Sequence, residues 1–197
     1  MKQKIRKAVL ILVVTLSASG VLFSQSNNSH PVKTIKDSEF NTGDVVMLPA
    51  IGLNHENLGK LLRSPSNMDT MSQVIAFLKK YPKLVVEVGF HSDCKGQDNF
   101  NQTWTENLAK SYVAYLVEKG GFSAERFVAV GYGKTKPLTL RYDLVLPGKK
   151  IIPAGTSLTQ SWIDSNYPAE KKKEDNEFIM KQNRRGELII LKTDFAK

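Results

Sequence analysis

His91, Ser92 and Asp93 are consecutive, and together they carry the residue types of a hydrolytic triad. Three neighbours in extended chain cannot bring their side chains to one centre, and that convergence is what defines a triad. A second histidine does not help, because His30 and His55 fall in loop-like or tether-like sequence. The spacing of Cys, His, Asp and Glu matches no metal site, so neither a metal nor another cofactor is expected. These residues therefore give no ground for reading the chain as an enzyme. Cys94 is the only cysteine, which rules out an intrachain disulfide and leaves stability to a packed core.

The elements that would position these residues follow from periodicity. Asp44 to Leu48 reads as a short strand stopped by Pro49. A helix is expected from an N-cap at Asn67 to Tyr81-Pro82, with Met71, Val74, Ile75 and Leu78 as its buried stripe. Leu84, Val86, Val88 and Phe90 alternate with Val85, Glu87 and Gly89, which gives a strand with one strongly buried face. A polar loop from Ser92 to about Thr103 leads into a second helix. Its inner face is Ala109, Tyr112 and Leu116, helped by Trp104, Leu108 and Tyr115, and Gly120-Gly121 stops it. Phe127 to Val130 is a further strand that closes on Gly131-Tyr132-Gly133. A long stretch, 138–168, holds a turn at Pro147-Gly148 and a short helix near Ser157 to Asp164. A charged helix from Ala169 to Gln182 and a last strand from Glu187 to Lys192 complete the chain. Alternating strands and helices favour an α+β arrangement with helices on one open sheet.

The N-terminus indicates export. Lys2, Lys4, Arg6 and Lys7 precede an apolar run from Ala8 to Leu16, and small residues follow at Ser17, Ala18, Ser19, Gly20 and Ser24. That is the layout of a secretory signal peptide, read here as 1–24. Thr15 and the Ser-Ala-Ser-Gly run interrupt the apolar stretch, whereas a spanning helix needs about 20 mostly apolar residues. No cysteine lies near the junction to carry a lipid anchor. The formal charge of +9 falls to +5 once these four N-terminal charges are removed. Basic and aromatic residues do not interleave as a nucleic-acid groove requires, so no nucleic-acid partner is expected. Residues 25–43 are polar and read as a tether, and 44–197 as one domain.

Five motifs then occur in one order. Phe90-His91-Ser92-Asp93-Cys94-Lys95-Gly96 resembles the G-H-T-D-x-x-G signature of OmpA-like peptidoglycan-associating domains. Asn101, Trp104 and Thr105 fall at the Asn, Leu and Ser of that family's N-x-x-L-S-x-x-R-A helix. Tyr115 to Gly120 is similar to its helix ending, Gly131 to Pro137 to its G-Y-G-E-x-x-P turn, and Asn183-Arg184-Arg185 to its N-R-R. Ile152 to Thr159 ahead of that N-R-R resembles a branch with an extended loop, common in envelopes of the Bacteroidetes type. The resemblance implies a βαβαβ-type sandwich, with helices packed on one mixed sheet and a long insertion before the last strand.

It also implies non-covalent binding of peptidoglycan through the diaminopimelate of its peptide stem, in the periplasm and associated with the outer membrane. Carried over residue by residue, the ligand site would comprise Asp93, Asn101, Arg184, Arg185, His91 and Thr105. A carboxylate receives an ammonium, and a guanidinium grips a carboxylate with two parallel hydrogen bonds. The family's helix arginine, however, counts to Leu108, which donates no hydrogen bond and would place apolar surface where the ligand carboxylate belongs. Arg184 or Arg185 is the candidate substitute, and adjacent strand residues point apart, so at most one would face the pocket. The alternative is a degenerate pocket in an envelope protein that works through protein partners.

Overall fold

Val86, Val88 and Phe90 are all fully enclosed, and the sheet strand that carries them is the centre around which the chain is built. The structure, a computed structural model, describes residues 32–49 and 65–196. The signal peptide read at 1–24 lies outside the described residues. In order, the elements are β1 (Val32–Thr34), β2 (Val45–Met47), α1 (Pro65–Lys80), β3 (Val85–His91) and α2 (Asp98–Gly120). They continue through a 3-10 turn (Ala124–Arg126), β4 (Phe127–Gly133), β5 (Leu144–Val145), β6 (Ile151–Ile152), α3 (Gln160–Asn166), α4 (Lys173–Asn183) and β7 (Arg185–Lys192). Five strands form one mixed sheet in the order β1-β2-β7-β3-β4. The last strand of the chain is thus central, antiparallel to both β2 and β3, while β3 and β4 are parallel.

Both long helices cover the same face. Met71, Val74 and Leu78 of α1 and Leu108, Ala109, Tyr112 and Leu116 of α2 pack with Val86, Val88, Phe90, Leu188 and Ile190. The expected stripes are observed with Phe77 added on α1, while Ile75, Trp104 and Tyr115 are only partly buried against the core. Gly121 ends α2 in the left-handed conformation, at φ 71°, and its N–H donates to Val117. Arg126 ties the sheet to the end of α1, donating to the carbonyls of Leu78, Tyr81 and Leu84 at 3.2, 2.9 and 3.0 Å.

Several boundaries differ from the sequence reading, and three of the differences have a clear physical reason. The helix α2 starts at Asp98 rather than after Thr103, because its first two turns bury Asn101 and Thr105, which are polar and give no apolar period. The strand β4 runs on through Gly131 and Gly133. A side chain at 131 would lie 2.2 Å from the backbone nitrogen of Glu106, so glycine there allows α2 to rest on the strand itself. Residues 32–43, read as part of a tether, are folded onto the domain. β1 pairs with β2, and Phe40 packs edge-on against Phe77 and Tyr81 at 5.1 and 5.0 Å. A three-residue strand is too short to show a period.

The long stretch before the last strand builds a second core. Leu140, Leu146, Ile152, Leu158 and Ile163 of the insertion pack with Cys94 and with Ile179 and Met180 of α4. Among the described residues, no helix is long and apolar enough to cross a membrane.

Candidate functional site

The signature loop leaves β3 at His91, and the three residues of the apparent triad diverge there. His91 turns to the helix-free face of the sheet, where its Nε2 lies 2.9 Å from Glu187 Oε1. The Ser92 hydroxyl donates to the carbonyl of Asp93 at 2.9 Å. Asp93 accepts the Lys95 N–H on Oδ1 at 3.0 Å, and on Oδ2 it accepts Nε of Arg184 at 2.7 Å. Loop and N-R-R segment, 91 residues apart in sequence, meet in that last contact.

The two arginines point apart, as adjacent residues should. Arg184 is the C-cap of α4 and reaches Asp93, with its side chain 33% exposed against 7% for Asp93. Only its Nε is used within the chain, so among the described residues its terminal Nη groups have no partner. Arg185 opens β7 on the other side. It donates to the carbonyls of Asn183 and Lys136 at 3.3 and 3.2 Å, with Nε 3.5 Å from Glu187. A carboxylate beside an open guanidinium edge can take the two ends of a zwitterion.

Other residues carried over from the motif are inside the fold. Asn101 is buried and donates to the carbonyls of Lys95 and Gln97 at 2.6 and 3.1 Å, which holds the loop that follows Asp93. The Thr105 hydroxyl donates to Asn101 O at 2.8 Å and accepts the Gly133 N–H at 2.9 Å, tying α2 to the end of β4. Leu108 is fully enclosed in the main core and so lines no pocket. The reason is helical spacing: Asn101, Thr105, Leu108 and Tyr112 form one stripe turned to the sheet. Asn101 and Thr105 are enclosed and hold the loop and the strand end around Asp93, and Leu108 packs in the core rather than forming an apolar wall.

Behind Asp93, sequence reasoning missed a polar cluster. His91 stacks on Tyr132 at 4.8 Å between ring centres, and the Lys136 ammonium sits 3.7 Å over that ring. The Tyr132 hydroxyl donates to Glu87, and Glu187 lies between His91 and Arg185. Strand alternation held the signal, since Arg185 and Glu187 on β7, like Glu87 and His91 on β3, must share a face. Burial holds the His91 imidazole below its ordinary 6.5; neighbouring Arg185 and Lys136 push the same way, and Glu187 opposes them. For Glu187, burial acts to raise the carboxyl, but His91, Arg185 and Lys136 together outweigh it and leave it below the ordinary 4.5.

Both shifts act on stability in the same direction. Below about pH 6.5 the unfolded chain takes up a proton on His91 that the folded chain refuses, so stability falls as pH falls. Below about 4.5 the unfolded Glu187 adds to the loss. Urea melts at pH 7.5, 6.0 and 5.0 should show this decline, and His91→Gln should flatten the part between 6.5 and 5. An equal slope in the variant would remove His91 as its source.

A profile of the OmpA family matches residues 59–143. The chain is 38% identical over 68 residues to the photosystem I P700 chlorophyll a apoprotein A2 of Gloeobacter violaceus, a match covering 34% of this chain and 8% of that one. It is 33% identical over 79 residues to outer membrane porin F of Pseudomonas fluorescens, covering 40% of this chain and 24% of the porin. The chain thus matches less than a quarter of the length of these relatives. Among solved structures, the peptidoglycan-associated lipoprotein from Burkholderia pseudomallei aligns with a TM-score of 0.41 at 18% identity, over 64% of this chain and 78% of that one.

Proposed function

We propose that the protein, whose residues 59–143 match the OmpA family profile, binds peptidoglycan without covalent attachment, through the diaminopimelate of the peptide stem. One observation carries the reading: Asp93 and Arg184 meet at 2.7 Å with the guanidinium edge still open. The free end of diaminopimelate is a zwitterion. Its ammonium would contact the Asp93 carboxylate, and its carboxylate the Nη pair of Arg184. Arg184 thereby takes the part that the family gives to the helix arginine, at the position where this chain has Leu108. Recognition is noncovalent, and nothing in it calls for a nucleophile or a cofactor. Such a protein would be exported to the periplasm and would associate there with the outer membrane, linking the sacculus to other envelope proteins.

Sedimentation with purified diaminopimelate-type sacculi tests the proposal. The wild type should pellet with the sacculi at modest salt, and Asp93→Ala should stay in the supernatant. A wild type that does not pellet would end the cell-wall reading and leave the protein-partner reading in its place. An Asp93→Ala variant that pellets equally well would move the site elsewhere.

A further inference from the structure

The hairpin inside the insertion has two unlike faces. Leu144 and Ile152 pair across it and pack with Leu146 into the second core. The next pair, Val145 and Ile151, turns outward at 57% and 59% exposure, and Tyr142 just ahead of the strand is 84% exposed. An aliphatic pair and an aromatic ring are thus displayed together on one small element.

Charge is added at the turn. Lys149 N–H donates to Leu146 O and Leu146 N–H to Lys150 O, each at 2.8 Å, closing a loop of Pro147, Gly148 and Lys149. Lys149 sits at φ 61°, the left-handed place that such loops usually give to glycine. Among the described residues it is the one non-glycine at positive φ. Glycine would relieve that strain, so the residue present supplies a charge where the backbone favours having no side chain. Lys150 beside it is exposed as well. The only acid of the hairpin, Asp143, is engaged by the Ala154 N–H at 2.9 Å.

We propose that this hairpin seats on an anionic phospholipid surface. Tyr142, Val145 and Ile151 would enter the boundary between headgroups and acyl chains, while Lys149 and Lys150 contact lipid phosphates. Tyrosine and aliphatic residues flanked by lysine suit that boundary, where the ring has an apolar body and a wet end and the lysine stems can lie along it. A stable protein interface takes about 800 Å² from each partner, more than three side chains supply. The lysine ammonium is a compact point charge, which a layer of phosphates accepts without a fixed geometry. The inference does not depend on the peptidoglycan reading.

Hydrogen exchange of the full chain with vesicles gives a readout local to the hairpin, whatever the N-terminal segment does. With phosphatidylglycerol vesicles, amides of residues 142–152 should exchange more slowly, and with phosphatidylcholine they should not. Val145→Ser with Ile151→Ser should abolish the slowing. Lys149→Gly with Lys150→Ser should demand about twentyfold more anionic lipid for the same slowing. Because Lys149→Gly relieves strain, that loss could not come from unfolding. Equal slowing on both lipids, no slowing on either, or slowing that appears without vesicles as protein concentration rises would each overturn the proposal; the last would mean that a second copy covers the hairpin.

Discussion

Arg184→Ala should weaken binding to diaminopimelate-type sacculi by about thirtyfold or more, because truncating one side of a charged, hydrogen-bonded contact costs about 2–5 kcal/mol. The same change should alter folding stability by only about 1 kcal/mol, since the Arg184 side chain is 33% exposed and its pair with Asp93 is partly solvated. Leu108→Ala should behave in the opposite way. It empties space in a fully enclosed core position and should lower stability by about 2–5 kcal/mol, with sacculus binding retained by the folded fraction. The chemistry of the ligand sharpens the test. A stem peptide with lysine in place of diaminopimelate lacks one carboxylate, the group assigned to Arg184. Wild type should therefore prefer the diaminopimelate peptide in a calorimetric titration, and Arg184→Ala should bind the two alike. A variant that keeps the preference would take the guanidinium role away from Arg184. Arg184→Lys should fall between, with the charge kept and the paired donors lost.

That contrast between 184 and 108 shows what the sequence could and could not carry. Motif order alone pointed to the OmpA-like resemblance, which the profile match over 59–143 supports, and to the mixed sheet and the loop that holds Asp93. Apolar periodicity gave the stripes of α1 and α2, because each apolar residue there faces the same core. Counting along the motif also identified Leu108 as the departure, but counting assigns a position and says nothing of its surroundings. A leucine on the sheet-facing stripe of α2 belongs to the core, and the cation that meets Asp93 comes from the N-R-R segment instead. Asn101 and Thr105 were legible as special for a related reason. Both are polar residues that the fold encloses, and their hydrogen bonds to Lys95, Gln97 and Gly133 fix the loop and the strand end around Asp93. Least legible were β1 and the β5–β6 hairpin, whose strands of three and two residues are too short for alternation to be seen.

The sheet end therefore has two layers with different duties. Asp93 is buried behind the partly exposed Arg184, and in the proposed site this pair would exchange a partner within the chain for one in the ligand. His91, Glu187, Arg185, Tyr132 and Lys136 sit behind them on the helix-free face, held by charge and ring contacts, while the buried His91 ring nitrogens make no well-aligned hydrogen bond among the described residues. Charge in that rear layer anchors the strand ends from which the front residues project. Burial holds His91 toward its neutral form beside Glu187, so acidification should loosen this support.

Asn183→Leu should produce a large loss of stability, about 2–4 kcal/mol, although the two side chains share the same branched heavy-atom skeleton. Asn183 is buried and uses both ends of its amide. Its Oδ1 accepts the Leu138 N–H at 2.7 Å, and its Nδ2 donates to Leu158 O at 2.9 Å and to Cys94 Sγ at 3.2 Å. Leu138 and Leu158 stand near the entrance and exit of the insertion's core segment, and Cys94 follows Asp93, so one side chain clamps the insertion to the signature loop. Leucine would leave the Leu138 N–H unpaired and Leu158 O with only the weak Cys94 thiol donor at 3.7 Å. Urea unfolding should show the loss as a lower midpoint, and hydrogen exchange should place it first in residues 138–160, with β3 and β7 opening later. Sacculus binding should weaken as well, because the clamp sets Cys94 beside the residue that precedes Arg184 and so brings Asp93 to the guanidinium. A variant within about 0.5 kcal/mol of wild type would mean that water or a neighbouring group replaces all three bonds, and that the insertion is held by its apolar contacts with α4 alone.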